Sequence, residues 1–356
     1  MKNKSVMAWG MVGALLLGGC LQDSEQVGKS DDLRPAVMAV YTDYKSYGVA
    51  RIVEGAVTDS FAVQDAAGFG ATIDAFSRVL YVTNQGTGTV TAFRNGVNDA
   101  DHAIFDISVG KGTNPYQVLQ VGSRLFVARW EKNNILVLDA ATGDSVRSID
   151  LSANANDEGA VRPCKLEFAG GKLWVLAQGV RSDYTYDSAI AVPVDTGASK
   201  AERGIVLPSR NPVAMSVVGE KLYVVSQGSY DTVANAGVER IDLATRKWEA
   251  TVGGLMGSNK PRACAYAGGR MFLAVMRDKW GTTSELVPFD LATGAMGTPV
   301  PGLSAVWSVV SNSSTIWVAD RAKSDKHSVA EIDPATATVV RTTKTPLPPA
   351  ALAILK

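Results

Sequence analysis

Tyrosine, tryptophan and arginine gather in stretches of this sequence where plain turn residues would serve. Tyr44 and Tyr47 fall together, Arg129 adjoins Trp130, and Arg181 precedes Tyr184 and Tyr186; Tyr230, the pair Arg277 and Trp280, and Arg321 continue the series. Loops without a task are normally built from Gly, Ser, Asn and Asp. Tyr, Trp and Arg instead offer large contact area at small entropic cost and dominate binding hot spots. The chemistry these residues do best is recognition. A second set, Arg162, Arg210 and Arg262 with Lys111, Lys165 and Lys260, stands at or near recurrent prolines. Convergence of these side chains would make a cationic surface suited to phosphate or carboxylate groups.

Catalytic arrangements are harder to assemble. The chain has only 2 histidines, His102 and His327, which argues against a multi-histidine metal site. Neither shows a clear carboxylate–histidine pairing in sequence, and Asp74 and Glu167 are the only obvious acids on the expected inner strands and do not recur. No Gly-x-Ser-x-Gly elbow and no glycine loop leading into a helix is present. Cys164 and Cys264 are open to three readings: small buried residues, soft ligands, or a disulfide. The sequence therefore reads as a non-enzymatic binder with no catalytic residue, no metal and no cofactor. The rival readings are an envelope scaffold that grips another protein, and a hydrolase or lyase.

These residues are positioned by repeats. Over 356 residues, 35 Lys+Arg balance 35 Asp+Glu, which excludes a bulk basic groove for nucleic acid and an acidic disordered tail. With 46% hydrophobic residues and 34 glycines, short strands and many turns are expected. One strand type recurs with an aromatic at a fixed place: Tyr81, Phe126, Trp174, Tyr223, Phe272 and Trp317, spaced about 45–49 residues apart. That period implies propeller blades of four strands each. Asn114-Pro115, Arg162-Pro163, Asn211-Pro212 and Lys260-Pro261 mark the starts of inner strands, where a missing N–H breaks no ladder bond. Asp139, Asp242, Asp290 and Asp333 open recurrent hairpins. Residues 36–40 and 48–53 lack a preceding inner strand, and Pro348 to Leu355 supplies one. The expected fold is all-β, a seven-bladed β-propeller whose first blade is closed by the C-terminal strand. Loop-length variation concentrates on the channel-mouth face, which therefore should carry function.

The first residues read as an address. Lys2 and Lys4 precede an apolar run too short for a comfortable bilayer span. The run ends in Leu17-Gly18-Gly19-Cys20, which resembles the lipobox of bacterial lipoproteins. That resemblance implies a signal peptide over residues 1–19 and a lipidated Cys20; the polar stretch that follows reads as a flexible tether, so that 20–34 form the lipidated cysteine and tether and the repeats place the propeller over 35–356. Leu21 after the cysteine implies the outer membrane under the enteric sorting rule.

Leu80-Tyr81-Val82-Thr83-Asn84, and the run from Ile107 through Asn114-Pro115 to Asp139 and Gly143, resemble the YVTN-repeat β-propellers. In architecture the chain is similar to surface lipoproteins that capture vitamin B12, and no residue here is diagnostic of that ligand. Propeller lactonases and streptogramin-type lyases need carboxylate or histidine sets that this sequence does not offer. Quinone-dependent dehydrogenase propellers have larger repeats. The resemblance implies a monomer that binds a cobalamin-like or other nutrient, or an envelope partner, touching the membrane only through its lipid and no nucleic acid.

Overall fold

The structure is a computed structural model that describes residues 35–62, 71–96, 103–229, 235–257, 259–278, 281–323 and 325–356. The signal peptide and tether expected over 1–34, Cys20 with them, lie outside the described residues, as do His102, Tyr230 and Trp280.

The described strands form seven antiparallel sheets. Their innermost strands are Pro349–Leu355, Ala71–Phe76, Pro115–Val121, Pro163–Ala169, Pro212–Val218, Lys260–Ala267 and Val306–Ser311, for blades one to seven. Each packs on the next, and the seventh packs on the first, so the cycle closes. The seven-bladed propeller follows. A single short 3-10 turn, Ser152–Asn154, is the only helix among the described residues.

Blade one joins the two ends of the domain. Pro349–Leu355 pairs with Ala36–Thr42 in a register running from Ala36↔Leu355 to Tyr41↔Pro349, and Tyr47–Val53 and Ala56–Ala62 complete the sheet. Pairing hides an edge on each partner that would otherwise be open to another chain. Blade six departs from the four-strand expectation. It has three described strands, and beside Ser284–Phe289 runs a segment held by two hydrogen bonds, Gly297 N–H to the Pro288 carbonyl and Val300 N–H to that of Leu286. Pro299 and Pro301 flank Val300 and have no N–H to give a regular ladder.

The repeated aromatics fill the seams between blades. Trp174 is 1% exposed and donates its Nε1–H to the Ala169 carbonyl at 3.2 Å; Tyr81 donates its hydroxyl to Gln120 Oε1 at 2.7 Å. The hairpins on the opposite face from the channel mouth are Asx turns. Asp139 Oδ1 accepts the Ala141 and Thr142 amides, and Gly143 closes the turn at φ 79°, a left-handed conformation that suits glycine.

Candidate functional site

In blades three to seven the inner strand carries a β-bulge near its start, at its second residue or, in blade six, its third: the register shifts across Pro115/Gln117, Pro163/Lys165, Pro212/Ala214, Pro261/Ala263 and Val306/Ser308. A bulge re-aims the side chain it releases from the ladder. The released residues are Tyr116, Cys164, Val213, Arg262 and Trp307. In blades three to five the residue before the proline turns left-handed, at φ 51° for Asn114, 59° for Arg162 and 55° for Asn211. Their carbonyls accept the backbone N–H of Trp130, Gln178 and Gln227, at 3.0, 3.1 and 2.8 Å. These three acceptor partners share one slot, the residue directly after the second strand of a blade. Met276, the last residue of its strand, and Arg321 hold the equivalent slot in blades six and seven.

The slot builds a collar at the channel mouth. Trp130 stacks on Tyr116 with centroids 6.0 Å apart, the Arg162 guanidinium lies 4.2 Å over its ring, and its Nε1–H donates to Gln178 Oε1 at 2.7 Å. Gln178 Nε2 donates to Asn211 Oδ1 at 2.9 Å, Asn211 Nδ2 to Gln227 Oε1 at 3.3 Å, and Gln227 Nε2 to Met276 Sδ at 3.2 Å. On the far side Arg262 covers Trp307 at 3.4 Å, while Arg321 lies 5.0 Å from both Trp307 and Tyr44. Below the collar a cavity of about 670 Å³ runs along the propeller axis, lined by Tyr116, Gln117, Lys165, Met215, Arg262, Cys264, Trp307 and others. That volume suits one small organic molecule.

The acids seen in the sequence come to this cavity. Asp74 accepts from Gln117 Nε2 at 3.2 Å and from the Val118 amide at 3.0 Å. Burial pushes its carboxyl up to about 6, against the Val118 amide, the Lys165 charge and the Gln117 amide, which act in the opposite direction. Burial also raises Glu167. Asp74 and Glu167 stand with Lys165 and Arg262 in the cavity wall, so the channel is mixed in charge, not the cationic funnel expected. Both cysteines are free. Cys164 is buried, and Cys264 faces the cavity. Burial pushes each thiol up to about 12, helped at Cys264 by the Glu167 charge. Thiols so placed stay protonated near neutral pH and are weak nucleophiles.

Several expected binding residues stand away from the cavity. Tyr47 is 6% exposed inside the core of blades one and two. Arg210 donates to the Tyr186 carbonyl at 2.9 Å, and Arg181 is paired with Asp157 and Asp187 at 2.9 and 3.0 Å. These contacts, with the Val180↔Tyr186 bridge, tie the blade-four loop to itself and leave Tyr184 77% exposed at its tip. Arg277 is taken by Glu285 at 2.6 Å and by Asn259, and Arg129 by the Val109 carbonyl and Asn134. Arg162 is bridged to Glu131 as well as stacked on Trp130. His327 Nε2 lies 3.1 Å from the Thr345 carbonyl. Of the expected set, Trp130, Arg162, Arg262, Arg321 and Tyr44 meet around the mouth. Sequence reasoning missed Tyr116, Gln178, Asn211, Gln227 and Met276. Their common spacing from each repeated aromatic, four residues on to Trp130, Gln178, Gln227, Met276 and Arg321, would have marked the slot.

Searches of protein-family models and of curated proteins found no match to this chain. Solved structures do resemble it. The dihydro-heme d1 dehydrogenase NirN in complex with DHE superposes with a TM-score of 0.59 at 16% identity over 88% of this chain, which spans 65% of that one. The hydrazine synthase of Kuenenia stuttgartiensis gives 0.61 at 15% identity, covering 80% of this chain and 88% of that one. Apo AztD from Citrobacter koseri gives 0.53 at 10% identity, covering 90% and 98%. At these identities the likeness is one of fold.

Proposed function

We propose that this chain is a YVTN-repeat propeller of the bacterial envelope, lipid-anchored through Cys20, that captures a small molecule at its channel mouth and releases it unchanged. The observation that carries the reading is the collar. Trp130, Tyr116 and Trp307 offer flat apolar surface over a cavity of about 670 Å³, with amide side chains joined in a chain between them. Rigid aromatic anchors and a few fixed polar groups are what a ligand site requires. NirN, solved in complex with DHE, is a structural neighbour with a bound ligand, which agrees with a binding role for the architecture. The raised thiols favour holding a ligand over nucleophilic attack on it.

Native mass spectrometry of the protein extracted from its own envelope tests the reading. The expected result is a retained small molecule that Trp130→Ala and Gln178→Ala each weaken, Trp130→Ala by about thirtyfold, or roughly 2 kcal/mol. A preparation that carries only a protein partner would favour a scaffold. The same preparation tests the anchor: Cys20→Ser should lose its acyl mass and leave the membrane fraction. A wild-type protein without acyl chain overturns that part.

A further inference from the structure

Arg321 is a part-buried guanidinium that meets no acid among the described residues, and one of its terminal nitrogens is shielded from water. We propose that it is the docking point for an oxyanion group, a carboxylate or a phosphate, on the captured molecule. The inference rests on the small-molecule reading and narrows it.

The geometry at Arg321 differs from that of four other arginines expected at the mouth. Arg162, Arg181 and Arg277 each reach a carboxylate, and both terminal nitrogens of Arg129 are occupied by the Val109 carbonyl and Asn134. Among the described residues Arg321 forms no ion pair. One terminal nitrogen, Nη2, donates to the Thr42 carbonyl at 3.3 Å; the other, Nη1, is shielded and has no hydrogen-bond partner. Burial holds its pKa below the usual arginine range, and only Tyr44 and Tyr47 act in the other direction. A buried charge without a partner is costly, so such groups are normally paired or bind something.

The surroundings say what it would bind. Its plane lies 5.0 Å from the rings of Tyr44 and Trp307, and Arg262 lies 3.4 Å over the same indole, so two cations share one aromatic ring. The planar guanidinium fork of Arg321 matches carboxylate or phosphate oxygens. Trp307 and Arg262 also line the axial cavity, so the rest of the molecule would extend into it. Tyr44 roofs the fork and is itself 57% exposed.

The test is a titration of the mature protein with sodium benzoate and, separately, inorganic phosphate, at constant ionic strength, read by tryptophan fluorescence. A saturable change with at least one probe is expected. Arg321→Gln should weaken it tenfold or more, Arg321→Lys several-fold, and Arg181→Gln not at all. Response to benzoate alone identifies a carboxylate site, and to phosphate alone a phosphate site. A second measurement uses the wild type only: the probe should slow phenylglyoxal modification of Arg321, located by peptide mass. No saturable response, unchanged affinity in Arg321→Gln, or no protection of Arg321 would overturn the inference. A natural ligand retained equally by wild type and Arg321→Gln leaves the small-molecule reading standing while removing the oxyanion site.

Discussion

Asp74 sits in the cavity wall with two hydrogen bonds and a lysine nearby, yet burial lifts its carboxyl to about 6 from an ordinary 3.8. Between those two values the folded chain binds more protons at this site than the unfolded chain does. Stability from this group therefore falls as pH rises from about 4 to about 6, then stays level. Asp74→Asn has no such proton to lose. Denaturant melts at pH 4 and pH 7 should show the wild type losing up to about 3 kcal/mol relative to the variant across that window. Parallel curves would mean that the carboxylate is well solvated when ionised. Trp130 invites a different comparison. It stands just outside a strand, yet a stack, a cation and a hydrogen bond hold it. Trp130→Ala should cost roughly 1–2 kcal/mol of stability in addition to its effect on binding. Trp174→Ala, which empties a seam, should cost roughly 3–5 kcal/mol. Equal costs by thermal or chemical melt would show Trp130 to be core like Trp174.

At the scale of strands and loops, the inner strands do two tasks at once. Their ladders hold the blade, and their first turn, through a left-handed residue, a proline and a bulge, delivers side chains to the mouth. Deleting Ala350–Lys356 removes most of the inner strand of blade one and strips Ala36–Thr42 of its partner. The truncated chain should aggregate, since bare edges recruit other strands; a soluble product with the parental melt would count against the shared blade. Much of this was legible beforehand. The aromatic period showed the blades because each seam needs one large ring, and the X-Pro steps showed the inner strands because proline is tolerated only where no ladder bond is lost. The site was less legible. Whether Arg210 faces the cavity or folds back onto the Tyr186 carbonyl depends on contacts between residues far apart in the chain, and no spacing encodes that. The mixed charge of the channel was hidden for a similar reason: Asp74 and Glu167 look isolated in sequence because they come from blades two and four. The collar amides Gln178 and Gln227 escaped because glutamine is common on surfaces, and only their shared slot distinguishes them.

For the whole molecule, the two ends of blade one define direction. Ala36 pairs with Leu355 at one end of the sheet, and the Thr42 amide meets the Pro348 carbonyl at the other, beside Tyr44 and Arg321. The polypeptide thus enters the propeller on the face opposite the mouth. The same shared blade also imposes an order in time. Strands Ala36–Thr42 and Tyr47–Val53 are among the first of the domain to be synthesised, yet their innermost neighbour is the last. Until those final residues emerge, the oldest part of the fold waits unfinished, and the ring cannot lock by growing from one end. Newly made chains should therefore pass through a protease-sensitive phase that ends abruptly on completion, detectable by pulse-chase labelling. The propeller is completed as a whole, by its last strand finding its first.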